Sequence, residues 1–119
     1  MKTEIITTQG TNIAEITADG ILIRTTQDAL DLMVNCVYNG ADRIILHQEN
    51  IVPEFFDLKS GLAGEILQKF SNYRARLAII GDFEEVKSKS LRDFIRESNK
   101  HGRVVFVASP EEAREKLAK

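Results

Sequence analysis

One cysteine, two prolines and two histidines in 119 residues leave several kinds of chemistry without raw material. Cys36 has no second cysteine to pair with, so an intramolecular disulfide is excluded and a thiolate metal cage is not expected. With so few prolines, no repeat and no low-complexity run, nothing marks a linker, and residues 1–119 read as one domain. Long apolar runs are also missing. None approaches the ~20 residues that span a bilayer, and the charged opening Met1-Lys2-Thr3-Glu4-Ile5 lacks the apolar stretch of a signal peptide. Nor does charge of one sign dominate, since 16 Lys+Arg face 18 Asp+Glu for a formal net charge of -2. That balance provides no basic footprint for nucleic acid and no attraction to anionic membranes. Neither partner is expected, and a reducing cytoplasm is the expected compartment.

What is present is a globular composition, 43% hydrophobic and 29% charged. A chain of this length buries roughly 65% of its unfolded surface, enough for a core without staples. Ile5-Ile6-Thr7-Thr8 and Asn12-Ile13-Ala14-Glu15-Ile16-Thr17 predict strands around a turn at Gln9-Gly10. After Asp19-Gly20, Ile21-Leu22-Ile23 predicts a short third strand, so the opening reads as an antiparallel meander. The period then changes. Leu30, Met33, Val34 and Val37 fall at helical spacing behind a cap at Thr25 or Thr26, with a left-handed stop at Asn39-Gly40. Strands at Arg43–His47, Leu77–Ile80 and Val104–Val107 alternate with helices carrying Leu62, Ala63, Ile66, Leu67 and Phe70, then Leu91, Phe94 and Ile95. Ser109-Pro110-Glu111-Glu112 opens a fourth helix with cap, first-turn proline and capping glutamate. The fold class is therefore α/β: a mixed, largely parallel sheet, an antiparallel meander at one side and about four helices.

In open sheets of this class, sites gather beyond the carboxyl ends of the parallel strands. That rim collects His47, Glu49, Phe55, Phe56, Asp57, Asp82 and Phe83, and the long loop from Gln48 to Lys59 places Phe55 and Phe56 either at an exposed functional surface or as plugs at the end of the core. A histidine among carboxylates has the chemistry of a Zn²⁺ ligand set or a general base. No paired-histidine spacing accompanies it, so no metal, cofactor or catalytic residue is assigned, and His47 reads as a strand-end residue tied to backbone. Gly61 and Gly64 read as close-packing glycines or, less specifically, as a phosphate-cradling helix start. Cys36 reads as a small buried hydrophobe.

Two families come into view from particular stretches. Phe55-Phe56-Asp57-Leu58-Lys59-Ser60-Gly61-Leu62-Ala63-Gly64-Glu65-Ile66-Leu67-Gln68-Lys69-Phe70, Leu77-Ala78-Ile79-Ile80-Gly81-Asp82-Phe83 and Ser90-Leu91-Arg92-Asp93-Phe94-Ile95-Arg96-Glu97-Ser98-Asn99 resemble the bacterial family known as domain of unknown function 4180. The likeness runs over nearly the whole chain and implies no activity. More distantly, the element order is similar to the STAS domain of anti-sigma-factor antagonists, which bind partner proteins and are switched by serine phosphorylation. That resemblance implies Ser60, in Ser60-Gly61-Leu62, as phosphoacceptor or anion site, with Lys59 and Gly61 beside it; from the residues alone, Ser60 reads as a helix cap or a turn residue hydrogen-bonded within the turn. Leu58 stands where those domains have an acidic residue, and Lys59 where they have a hydroxyl.

These readings lead to a non-enzymatic regulatory or protein-interaction module of STAS-like fold, with an unidentified protein partner and a homodimer as a further expectation. The alternative is a small enzyme or ligand-binding domain using the rim around His47, Asp57 and Asp82.

Overall fold

In the computed structural model, which describes residues 1–119, the apolar residues of each strand divide between two faces of one sheet. The strands are β1 (Lys2–Thr8), β2 (Thr11–Thr17), β3 (Arg43–His47), β4 (Arg76–Ile80) and β5 (Val104–Val107). They lie in the order β1-β2-β3-β4-β5, the first pair antiparallel and every later pair parallel. Helices α1 (Thr26–Tyr38), α2 (Leu62–Asn72) and α3 (Lys89–His101) make the crossovers, and α4 (Pro110–Leu117) follows β5. Ala14, Ile16, Ile44, Leu46, Leu77, Ile79, Val104 and Phe106 point to the face covered by α1, α2 and α3. Their neighbours Ile13, Ile45, Ala78, Ile80, Val105 and Val107 point to the other face, where Ala113 and Leu117 of α4 cover them. Strands buried on both faces explain the near-continuous apolar runs.

Helix starts follow the local chemistry. Thr25, Ser88 and Ser109 each accept a hydrogen bond from the N–H three residues on. Glu112 reaches back to the N–H of Ala108 at 2.8 Å. Helix α4 is further held by a two-pronged Arg114–Glu15 ion pair to β2 and by Arg43 and Arg76, which donate to the carbonyl of Leu117. The Glu15 hydrogen bond holds the Arg114 pKa above its ordinary value.

One expected strand does not form. Ile21-Leu22-Ile23 makes only a single parallel bridge, Ile23 to Ile51, and the meander is a two-strand hairpin. The reason is that β2 already pairs with β1 on one edge and β3 on the other, so no edge remains for a third partner. The run instead caps the ends of β2 and β3, with Ile23 in the core. Cys36 is buried as expected, and burial pushes its thiol pKa up.

Ile79 is fully buried in the interior strand β4, between β3 and β5. Ile79→Ala should therefore cost about 2–5 kcal/mol in a denaturant titration, from lost transfer energy plus a cavity. A loss below about 0.5 kcal/mol would be that of a surface site and would contradict this core.

Candidate functional site

The rim at the carboxyl ends of the strands is built mainly by the segment between β3 and α2. It is not an open loop. Three short 3-10 turns, Gln48–Asn50, Pro53–Phe56 and Leu58–Ser60, follow one another, and between the first two the N–H of Val52 donates to the carbonyl of Ile23. Phe55 N–H donates to Val52, Asp57 N–H to Glu54, Ser60 N–H to Asp57 and Gly61 N–H to Leu58, all through carbonyls at 3.0–3.2 Å.

Asn50 anchors this segment. Its side chain is completely buried. Its Nδ2 donates to the carbonyls of Ala18 at 3.0 Å and Gly20 at 2.9 Å, and its Oδ1 accepts from the N–H of His47 at 3.2 Å. Its own carbonyl accepts from the N–H groups of Leu22 and Ile23. One residue thus joins the turn after β2 to the turn after β3, and its own buried amide is satisfied in doing so. Sequence reasoning gives Asn50 no role, because its partners lie 30 and 32 residues away and are backbone atoms of no distinctive type.

A second close fit joins the ends of β3 and β4. Gly81 lies against the side chain of Gln48. A methyl on Gly81 would come within 2.9 Å of Gln48 Cβ and Phe83 Cζ, and nearer still to Gln48 Oε1. Only glycine fits that gap. Beyond it the aromatics gather. Phe55 and Phe56 meet edge to face at 5.0 Å, Phe83 and Phe106 at 5.2 Å, and Phe94 lies 6.1 Å from Phe106. Phe56 and Phe83 close the cluster at 6.1 Å. Such tilted and edge-on contacts match the quadrupoles of the rings and add to their burial.

The expected site residues therefore divide. Phe55, Phe56 and Phe83 do come together, but Phe55 is 1% exposed and plugs the core, the second of its two readings, and does not stand at an exposed surface. The chain turns it inward from the Pro53–Phe56 turn to meet Phe106. Phe56 and Phe83 remain half-buried at the surface. The polar residues do not converge. No group of three His, Cys, Asp or Glu side chains has metal-ligating geometry. His47 follows Ile45 in strand alternation and so lies toward the α4 face, whereas the Leu58–Ser60 turn packs against α2 on the opposite face. Asp57 spends an oxygen on the N–H of Lys59, Asp82 accepts from the N–H of Glu84, and Glu49 is exposed. Ser60 is exposed too, but its hydroxyl donates to the carbonyl of Glu54 at 2.6 Å and accepts from the N–H of Leu62 at 3.2 Å. Gly61 adopts the left-handed conformation (φ 79°) that turns the chain into α2. Gly64 has open space where a side chain would stand, so neither glycine serves the close packing expected of them.

The rim is thus a hydrogen-bonded platform whose outer surface carries Phe56, Leu58, Glu54, Asp57 and Lys59. Beside Phe56 lies a shallow cleft of about 310 Å³ lined by Ile21, Gln48, Glu49, Ile51 and Pro53.

Asn50→Leu keeps the number and branching of side-chain heavy atoms and removes the three side-chain hydrogen bonds. It should destabilise the protein by about 2 kcal/mol or more in thermal or denaturant unfolding, because three hydrogen bonds worth about 0.5–1.5 kcal/mol each are lost together. A neutral result would show that Asn50 is not the anchor.

No curated protein and no solved structure matches the chain. A family model, described as Domain of unknown function (DUF4180), matches residues 8–117, which takes in β2 to β5, all four helices and the whole rim. The chain belongs to that family.

Proposed function

We propose that this protein is a non-enzymatic, regulatory protein-interaction module of a bacterial cytoplasm, and that its contact surface is the platform from Gln48 to Gly61. The observation that carries the reading is where the polar groups of the rim go. Asn50, Asp57, Ser60 and Asp82 all spend hydrogen-bonding capacity on the backbone of their own or a neighbouring turn. Such groups hold a surface in shape, and they do not converge on a reacting atom as acid, base and nucleophile must. A rigid surface with half-exposed Phe56 and Leu58 among charges suits binding, since little ordering entropy is lost when a partner docks. Likeness of element order to STAS domains, which bind protein partners, is in keeping with this reading.

Within it, Ser60 is the regulatory position. Its hydroxyl is a donor to Glu54, and a phosphate there would replace the proton with about -1.5 to -2 charges facing a carbonyl oxygen. Phosphorylation would break the link between the last two turns and change the surface that a partner meets.

Phe56→Ser and Ser60→Asp test both statements together. Quantitative capture of bound proteins from extracts of the native cell, run beside thermal melting, should show specific partners lost or weakened by at least tenfold in each variant. The melting temperature should fall by only a few degrees. Unchanged capture by both variants would contradict the platform as contact surface, and capture altered by Phe56→Ser alone would contradict the switch.

A further inference from the structure

The two edges of the sheet are finished in opposite ways. Edge strand β5 is closed by side chains of its own chain. Ser98 Oγ donates to the carbonyl of Val104 at 2.5 Å, and the amide of Asn99 pairs with both the N–H and the carbonyl of Phe106, at 2.7 and 3.3 Å. Beyond them Glu112 takes the N–H of Ala108. Little of that edge is left to pair.

Edge strand β1 has no such cover. It is a regular seven-residue strand without proline, pairing with β2 at every position from Lys2 to Thr8. The two-residue turn at Gln9-Gly10 makes Thr8 and Thr11 the hydrogen-bonded closing pair. Alternation then directs the N–H and carbonyl groups of Ile6, Glu4 and Lys2 toward β2, and those of Thr3, Ile5 and Thr7 outward. All three outward residues are β-branched, the type that favours strands. Ile5 is 42% exposed. The charges usual on a protected edge are cancelled here, because Lys2 Nζ lies 3.2 Å from Glu4 Oε1.

This edge fits a second copy of itself in one register. With a two-fold axis at Ile5, Thr3 faces Thr7 of the other copy, Ile5 faces Ile5 and Thr7 faces Thr3. All three outward residues are then used, for about six backbone hydrogen bonds. Threonine pairs and an apolar pair are favourable cross-strand neighbours. Moving the axis to Glu4 would set Glu4 directly against Glu4, a like-charge pair. Moving it to Ile6 would carry Thr3 past the strand end to face the turn. Axes between residues would set outward groups against groups already committed to β2. We propose that the protein forms a symmetric homodimer by antiparallel β1–β1 pairing about Ile5, joining two five-stranded sheets into one of ten strands.

Sedimentation velocity over a range of concentrations tests this with the full chain, Ile5→Lys, Ile5→Glu and an equimolar mixture of the two variants. The wild type should dimerise with rising concentration. Each variant alone should be monomeric, because two like charges meet at the axis, and the mixture should dimerise again, because lysine then meets glutamate. Circular dichroism checks the fold of the variants. A readout that needs no variant is amide exchange: Thr3, Ile5 and Thr7 should exchange more slowly as wild-type concentration rises. Each of the following would overturn the proposal: a wild type that stays monomeric; a dimer that survives both substitutions, as one through the exposed Val34, Val37 and Tyr38 of α1 would; folded variants whose mixture stays monomeric; or exchange independent of concentration.

Discussion

Strand β2 has both of its edges occupied, and much of the structure follows from that. With β1 on one side and β3 on the other, β2 takes no further strand, and β4 and β5 are added beyond β3. Each later strand adds to the same side, so the order never reverses. Successive crossovers of one hand then place α1, α2 and α3 on one face, and α4 is left to cover the other. In doubly wound sheets the ligand crevice opens where the strand order reverses and adjacent loops part to opposite sides. This sheet has no such point. Its carboxyl-end loops lean together, and the space between them is filled by Phe55, Phe83 and Phe106. The rim is in consequence a surface more than a pocket.

Holding that surface falls to a few close fits. The fully buried amide of Asn50 and the side-chain-free surface of Gly81 join the ends of β2, β3 and β4. Neither involves charge, so their effect does not weaken with ionic strength as a surface ion pair would. The exposed pairs Lys89–Asp93 and Arg96–Asp93 on α3 are of that weaker kind, although the hydrogen bond from Lys89 holds the Asp93 carboxyl below the usual range.

The fold was largely legible because its signals are local and periodic. Ile44, Ile45 and Leu46 read as a buried strand whichever face each one takes, since both faces are covered and all three are apolar. Caps at Thr25 and Ser109 announce their helices within four residues. The misassigned strand shows the limit. Ile21-Leu22-Ile23 has strand composition, yet its fate depends on whether an edge of β2 is free, which is decided by Arg43–His47 far along the chain. Phe55 and Phe56 show the same limit at the site: adjacent and chemically alike, one is core and one is surface, according to where Phe106 stands. The rim itself was located from strand order, but its anchor was not, since Asn50 binds backbone atoms that no residue type betrays.

Central to the function proposed is that the rim is a preformed, rigid surface. Backbone ¹⁵N relaxation of the free protein measures this directly for residues 48–61. A rigid rim predicts order parameters of about 0.85 along the segment, level with the strands, whereas values below about 0.6 would describe a mobile loop and contradict it.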